Sequence, residues 1–498
     1  MGIDNGGTVS KAVIFDLSGK EIARASEYSE TITPQSGYNE RDMERLWHYN
    51  CNCISTAIGK AGIKADDIVA VSVCGHGKGL YPWGKNDKPA YHGIMSTDNR
   101  AWKYPQKWKK DGTFERIYPK ICQQLISCQQ VSILAWIKDN AKDVYDNIKW
   151  IFSVKDYIRY RLTGEAYCEA TDISGSGLMN VRDVCYDMGI LESLGIPEVY
   201  DKLPPMCYSD TLCGRITKEA SCLTGLAEGT PVAGGMFDID AGAIAMDINN
   251  PEQLCIITGT WSINEFISEY PITNTEIAMN SLYAVPGFYL LEECSATGAG
   301  NLEWFIQNYI VLSEIPEGKH IYDYVNELVE NIQPSDGDVY YLPFLYGSNA
   351  HSLAKASFIG LTTYHNKGHM LRAIYEGVAF SHKMHIERLL SVRKPPKVIR
   401  MAGGVTNSPL WVQMFADILG YPIETIKGTK ELGALGCAMS AAVAVGEFDN
   451  YQQAAQSMVS ISKPIYPSEI NHPIYEKKYN KYKKIVETMD NIWDLFTI

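Results

Sequence analysis

A glycine pair set between two strands constrains this chain most. Residues 3–11 read Ile-Asp-Asn-Gly-Gly-Thr-Val-Ser-Lys, and Ala12-Val13-Ile14-Phe15-Asp16 continues as a strand. Gly6 and Gly7 have no Cβ, so the chain can reverse tightly and an anion can approach backbone N–H groups. A dinucleotide-binding loop or a P-loop would lead from its glycines into a helix. Here a strand follows, with a turn at Ser18-Gly19-Lys20 and a third strand from Glu21 to Ser26, so both of those folds are excluded. Asp4, Thr8 and Lys11 surround the turn with a carboxylate, a hydroxyl and a cation, a set suited to a metal-bound polyphosphate. Taken alone, the same residues also suit an ordinary hairpin.

At 498 residues the chain exceeds what one core usually serves, and two large domains are expected. Asp247-Ile248-Asn249-Asn250-Pro251 is polar, carries a proline and lies at mid-chain, which divides the sequence into 1–247, 252–447 and a helical tail over 448–498 read as a solvated outer helix. The second half repeats the opening theme: Gln253-Leu254-Cys255-Ile256-Ile257, a Thr258-Gly259-Thr260 turn, and a return strand from Trp261 to Ile267. A pseudo-duplicated fold with one phosphate hairpin per half explains this.

A net charge of −13 argues against nucleic-acid and anionic-membrane partners. No apolar run reaches the roughly 18 residues of a membrane helix. Thirteen cysteines at irregular spacing, with no second C-x-x-C or His pair to complete a zinc set, read as free thiols in a reducing, cytoplasmic setting. The first strand is short, which leaves room for a start upstream of Met1.

Several stretches place polar groups at strand ends. Ile68–Cys74 is a β-branched run ending in Gly75-His76-Gly77-Lys78-Gly79, and Ser96-Thr97-Asp98-Asn99-Arg100 follows another short strand. Val232-Ala233-Gly234-Gly235-Met236-Phe237 brings a strand to Asp238 and Asp240 at a helix start. An Asp there can take a proton from a substrate hydroxyl, or it can cap the helix, and Asp240 competes for either role. His76 suits a ligand edge or a structural role equally. Gly175-Ser176-Gly177 lacks the G-x-S-x-G frame of a nucleophile elbow, and residues 168–180 read as a Ser/Gly-rich loop.

Assembled, the motifs resemble the FGGY family of carbohydrate kinases within the actin-like ATPase superfamily. The matching features are Asp4-Asn5-Gly6-Gly7-Thr8, Gly37-Tyr38-x-Glu40-x-Asp42 with Trp47, Leu162-Thr163-Gly164, Gly235-x-x-Asp238, Gly259-Thr260, Gly403-Gly404 and Glu431-x-Gly433-Ala434. They occur in family order and cover the chain to about residue 445. The resemblance implies an α/β fold of two ribonuclease-H-like domains around a central cleft. It implies ATP as phosphoryl donor, Mg²⁺ near Asp4, and Asp238 as catalytic base. Asn5, Gly6, Gly7, Thr8 and Lys11 would meet the phosphates, with Gly259, Thr260 and Gly300 at the second hairpin. Gly404, Asn407 and Ser408 would line the adenosine side. His76, Lys78, Asp98 and Asp238 would meet the sugar. Within the family, Gly77-Lys78-Gly79-Leu80, Gly300-Asn301-Leu302-Glu303-Trp304-Phe305 and Leu342-Pro343-Phe344-Leu345-Tyr346-Gly347-Ser348-Asn349-Ala350 point to L-xylulose. D-xylulose, L-ribulose and polyols such as xylitol, erythritol and glycerol stand behind it. A non-catalytic actin-like sugar sensor is the rival from another class, and a homodimer is what the family suggests. Two departures stand out: Ile239 follows the base where many relatives carry an amide, and Gly347-Ser348-Asn349 stands where relatives often carry Gly-x-Arg.

Overall fold

The computed structural model describes residues 1–259, 261–273, 279–348, 351 and 353–496. The chain forms two compact units that are not contiguous in sequence. The first takes 1–249, 267–291 and 428–460; the second takes 250–266, 292–427 and 461–498.

The first unit is built on a five-stranded sheet of β1 (Gly2–Asn5), β2 (Val9–Phe15), β3 (Glu21–Tyr28), β4 (Ser72–Gly75) and β5 (Met236–Phe237), in the order β5-β4-β1-β2-β3. The glycine turn makes β1 and β2 antiparallel, with Asp4 opposite Lys11 and Asn5 opposite Ser10. β4 and β5 run parallel to β1. Alternation in β2 sends Ala12 and Ile14 to one core, where Leu46, Trp47 and Ile54 of the helix Met43–Ala61 meet them. That helix starts as the sequence predicts, with the Asp42 carboxylate accepting the Arg45 N–H, and stops at Gly62, where the left-handed φ of 64° suits glycine.

The helix Leu432–Ala444 also belongs to this unit, and its small residues allow close approach. A Cβ on Gly436 would lie 2.1 Å from the Ala241 carbonyl oxygen, and one on Gly2 would lie 1.9 Å from that of Ala434. Residues 168–180, expected as a loop, are buried and include a short helix, Ala170–Ser174. The hydroxyls of this Ser/Gly-rich stretch close on local carbonyls, Ser174 Oγ on Thr171 O at 2.7 Å and Ser176 Oγ on Ile173 O at 2.6 Å.

In the second unit, β6 (Gln253–Thr258) pairs antiparallel with β7 (Ser262–Ser268) and parallel with β8 (Val398–Gly403), which pairs parallel with β9 (Ile423–Lys427). The long helix Lys367–Leu390 is buried along most of its length. The terminal helix His472–Asp490 is not the solvated helix expected: Tyr475, Tyr479, Tyr482 and Val486 are buried along one face. Lys478 pairs with Glu376 at 2.5 Å, and Tyr482 packs on Phe380. The Tyr475 hydroxyl accepts from Arg372, and the rings of Tyr479 and Tyr482 pack on Phe380, so the large apolar rings of a lysine- and tyrosine-rich helix can still cover a core. Among the described residues no helix is long and apolar enough to cross a membrane, and all thirteen cysteines are free.

Candidate active site

In the first unit, the carboxyl ends of three parallel strands finish level. Asp4 and Met236 both stand opposite Cys74, and Asn5 and Phe237 both stand opposite Gly75. The next residue along each strand is Gly6, His76 or Asp238, so these leave the sheet side by side at the edge where open α/β sheets bind ligands. Two inter-strand spacings separate the outer pair, about 10 Å. The Cys74 thiol sits between the carboxylates. It lies 3.6 Å from Asp4 Oδ1, and its pKa is pushed well up by burial, by Cys437 and by the charges of Asp4 and Asp238.

The phosphate hairpin is held from behind by a residue that the motif reading passed over. Arg41 is buried, and its guanidinium donates to the Gly6 carbonyl at 3.2 Å and to the Gly7 carbonyl. In a planar trans peptide the N–H points opposite to the preceding C=O. Drawing both carbonyls toward Arg41 therefore turns the Gly7 and Thr8 N–H groups away from it. Gly7 and Thr8 are exposed, which is the arrangement an anion needs. Asn5 contributes differently from expectation: its side chain is buried, and its Oδ1 accepts from Ser10 at 3.1 Å and Asn50 at 2.8 Å. Its Nδ2 is buried and has no hydrogen-bond partner among the described residues. Lys11 donates to Glu431 at 2.6 Å. Burial pulls the Lys11 pKa down, but Glu431 and Asp4 outweigh it and leave the group above its ordinary value.

Asp4 is half-buried, and burial raises its carboxyl pKa against the opposing pull of Lys11. Gly433 faces it; a Cβ there would come 3.2 Å from Asp4 Oδ2 and 3.3 Å from Cys74 Sγ. Among the described residues no group of three His, Cys, Asp or Glu side chains forms a metal cage. Mg²⁺ on a polyphosphate needs no cage, since it keeps several waters and takes one or two carboxylates. Asp4 beside the hairpin fits that requirement.

Asp238 opens the helix Asp238–Ala245. The cap position is Phe237 and carries no side-chain cap bond, so Asp238 is a first-turn residue and not the N-cap. A carboxylate there is favoured by the helix dipole. Asp238 is half-buried, whereas Asp240 is fully buried and its Oδ1 accepts the Ala284 N–H at 3.1 Å.

His76 is buried, with Nε2 3.0 Å from the Tyr81 hydroxyl and Nδ1 3.3 Å from the Gly77 carbonyl. Burial, then the nearby Arg41 charge, lowers its pKa to about 3, so the ring is neutral. Lys78 has a left-handed φ of 62°. Its Nζ reaches 3.7 Å from Met279 Sδ and 5.9 Å from the centre of the Phe237 ring, which places an ammonium close to the strand that carries Asp238. Asp98, expected to meet sugar, is spent on the protein. Oδ1 accepts the Arg100 backbone N–H and Nε, each at 2.9 Å, and Oδ2 accepts Arg100 Nη2 and the Asn39 N–H, each at 2.8 Å. With those acceptances filled and the side chain buried, Asp98 anchors a loop and offers a ligand little.

In the second unit, Gly403 (φ 100°) brings β8 against β6; a Cβ there would lie 2.2 Å from the Thr258 carbonyl oxygen. The exposed residues Gly404 and Asn407 follow, with Asn407 Nδ2 donating to the Gly404 carbonyl at 3.0 Å. Ser408 is buried and occupied: its hydroxyl donates to Asn326 at 2.7 Å and caps the helix Pro409–Leu419 at the Trp411 N–H. Gly259 donates to the Trp261 carbonyl at 3.1 Å, closing the second hairpin. Thr260 lies outside the described residues. Gly300 opens the helix Gly300–Tyr309 and is half-buried.

Two family models match the chain: the N-terminal domain of the FGGY family of carbohydrate kinases over residues 1–245, and the C-terminal domain over 254–445. The chain is 36% identical over 495 residues to the probable L-xylulose kinase of Haemophilus influenzae, covering 99% of each. It is 34% identical over 491 residues to the L-xylulose/3-keto-L-gulonate kinase of Escherichia coli K12, covering 98% of this chain and 97% of that one. In structure it is similar to ligand-bound xylulose kinase from Lactobacillus acidophilus, with a TM-score of 0.90 at 24% identity over 100% and 99% of the two chains. It is also similar to Plasmodium falciparum glycerol kinase with ADP, with a TM-score of 0.85 at 19% identity over 98% and 97%. These structural likenesses bear on the fold, which is the two-domain α/β architecture expected from the sequence.

Proposed function

The chain belongs to the FGGY family of carbohydrate kinases, and on that footing we propose that it transfers the γ-phosphoryl group of ATP to a primary hydroxyl of a small ketose, L-xylulose first, with Asp238 as general base. One observation carries the assignment of roles: Asp238 and the Gly6-Gly7 hairpin leave the same sheet edge two strands apart. Asp238 accepts the hydroxyl proton as the sugar oxygen bonds to the γ-phosphorus and the bond to the β-phosphate bridging oxygen breaks, releasing ADP. The Gly7 and Thr8 N–H groups and Lys11 take up charge on the phosphoryl oxygens. Asp4 would hold Mg²⁺, whose part is to neutralise the polyphosphate. In the second unit, Gly404 and Asn407 are exposed after β8.

On the sugar side, the Lys78 ammonium supplies hydrogen bonds beside the Phe237 and Met279 side chains, and the neutral His76, bonded through both ring nitrogens to Tyr81 and Gly77, shapes the wall next to it. The names of the full-length relatives favour L-xylulose. Lys78 favours a second reading, a carboxylated ketose of the 3-keto-L-gulonate kind that the E. coli relative's name includes. The deciding experiment is an ADP-release screen of the purified protein over pentuloses, hexulosonates, hexoses and polyols. The expected result is sugar-dependent ATP consumption with the highest kcat/KM on L-xylulose. ATP consumption indifferent to every sugar would leave the sensor reading in its place.

A further inference from the structure

β5, the strand that delivers Asp238, lies at the edge of its sheet, so one side of Phe237 has no strand beside it. Its N–H is nevertheless bonded, donating to Thr171 Oγ1 at 2.9 Å. The Thr171 hydroxyl gives its own proton to Glu169 Oε2 at 2.7 Å, so a lone pair is left facing Phe237. Glu169 is fully buried. Its Oε1 accepts the Thr171 N–H at 3.0 Å and Ser209 Oγ at 2.8 Å, and its Oε2 lies 3.3 Å from Lys155 Nζ.

Lys155 belongs to a wider buried cluster. It lies 3.0 Å from Asp156 and 3.6 Å from Asp172, and Arg159 pairs with Asp156 at 2.8 Å. The Arg159 guanidinium also donates to the Gly234 carbonyl. One cluster therefore fastens both ends of the Gly234–Phe237 segment, Gly234 through Arg159 and Phe237 through Thr171.

Burying ions costs several kcal/mol each, and such pairs seldom add net stability over an apolar packing. What the cluster does deliver is a fixed position for the last peptide before Asp238. We propose that Thr171, oriented by Glu169 and Lys155, is a positioning residue for the phosphoryl-transfer base: its hydroxyl anchors the Phe237 N–H and so sets where the Asp238 carboxylate meets the sugar hydroxyl. This rests on the reading of Asp238 as the base. Valine at 171 keeps the shape but leaves the Phe237 N–H without its acceptor and takes one donor from Glu169 Oε2, which keeps Lys155, while serine keeps the hydroxyl.

The test compares wild type, Thr171→Val, Thr171→Ser, Asp238→Asn and the Asp238→Asn/Thr171→Val double variant. The readouts are kcat, sugar KM, ATP KM and sugar binding. A misplaced reacting group costs on the order of 10- to 100-fold, so Thr171→Val should lower kcat by that factor. Both KM values should stay within about threefold and Thr171→Ser should regain most of the rate, since the loss falls on the chemical step. In the Asp238→Asn background the valine should cost nothing further, because the two residues act as one unit. A wild-type kcat in Thr171→Val, a serine variant as slow as the valine one, or an undiminished valine effect without Asp238 would each overturn the proposal. A wild-type rate in Asp238→Asn would instead overturn the base assignment, a separate outcome. If the valine variant does not fold, Glu169→Gln is judged by the same kcat, KM and double-variant criteria.

Discussion

The buried cluster behind the base holds two cations, Lys155 and Arg159, against three carboxylates, Asp156, Glu169 and Asp172. Asp172 is the odd one. It is the farthest of the three from Lys155, at 3.6 Å. Burial, opposed by Lys155 and reinforced by Asp156, lifts its pKa from an ordinary 3.8 to about 6. The folded protein thus holds this proton more tightly than the unfolded chain does. The stabilising contribution is complete below pH 3.8 and is lost as pH rises through 6. At ~1.36 kcal/mol per tenfold change in proton affinity, ionising Asp172 in the fold costs about 3 kcal/mol at pH 8. Asp172→Asn keeps the size, removes the charge and leaves two carboxylates for two cations. The variant should therefore be more stable than wild type by roughly 2 to 3 kcal/mol at pH 8, with the gain shrinking through pH 6 and close to zero near pH 4. Urea unfolding of both proteins at pH 8, 7, 6 and 5 measures this directly. A variant less stable than wild type at pH 8, or a difference that does not change with pH, would refute the reasoning.

Four further outcomes follow from the site. Asp238→Asn should lower kcat by at least 100-fold while sugar binding, read by calorimetry, stays within about threefold, since general-base contributions run to 10²–10⁴. Lys78→Ala should raise sugar KM on the order of tenfold, from the loss of a charge-assisted hydrogen bond, and leave ATP KM in place. Arg41→Met should raise ATP KM and leave sugar KM unchanged. It should also cost about 1–3 kcal/mol in unfolding experiments, because the Gly6 and Gly7 carbonyls lose their buried donor. His76, held at about pKa 3 by burial and then Arg41, stays neutral in the fold. Its ordinary value is 6.5, so the unfolded chain binds a proton that the folded one refuses, and this contribution to stability, present above 6.5, falls away as pH drops toward 3. His76→Asn should lose less stability than wild type between pH 7 and pH 5, and NMR titration of His76 should show no protonation in that range.

The features legible in the sequence were those written in local chemistry. A glycine turn followed by a β-branched strand could only be a hairpin, and Asp42 ahead of a helical apolar pattern could cap that helix. The hidden features depend on partners far along the chain. Arg41 lay unremarked inside a matched motif, because nothing near it shows that the Gly6 and Gly7 carbonyls, about 35 positions away, are its acceptors. Thr171 sat in a stretch whose serines and glycines read as a loop, whereas in the fold the Ser174 and Ser176 hydroxyls take backbone partners in the interior. Asp98 illustrates the reverse case. The family resemblance implied a sugar contact there, but Arg100, two residues on, takes both of its oxygens.

These cases share a physical logic that the sheet edge makes explicit. Three parallel strands end level, yet a strand end alone fixes a side chain poorly, since the ladder stops there. Each reactive element is held instead by a contact from outside the ladder. Arg41 turns the hairpin's carbonyls back. Thr171 supplies the acceptor that an edge strand lacks. The helix Leu432–Ala444 comes down close on Asp4 at Gly433, where a Cβ would lie 3.2 Å from Oδ2 and press on the carboxylate. A hydrogen bond to a carbonyl, a hydroxyl relay and a missing methyl group are different devices with one effect: each removes freedom from a group that phosphoryl transfer needs in one place. Positioning is also where this chemistry demands most from a protein, because the phosphoryl group's transition state calls for little covalent help and much placement.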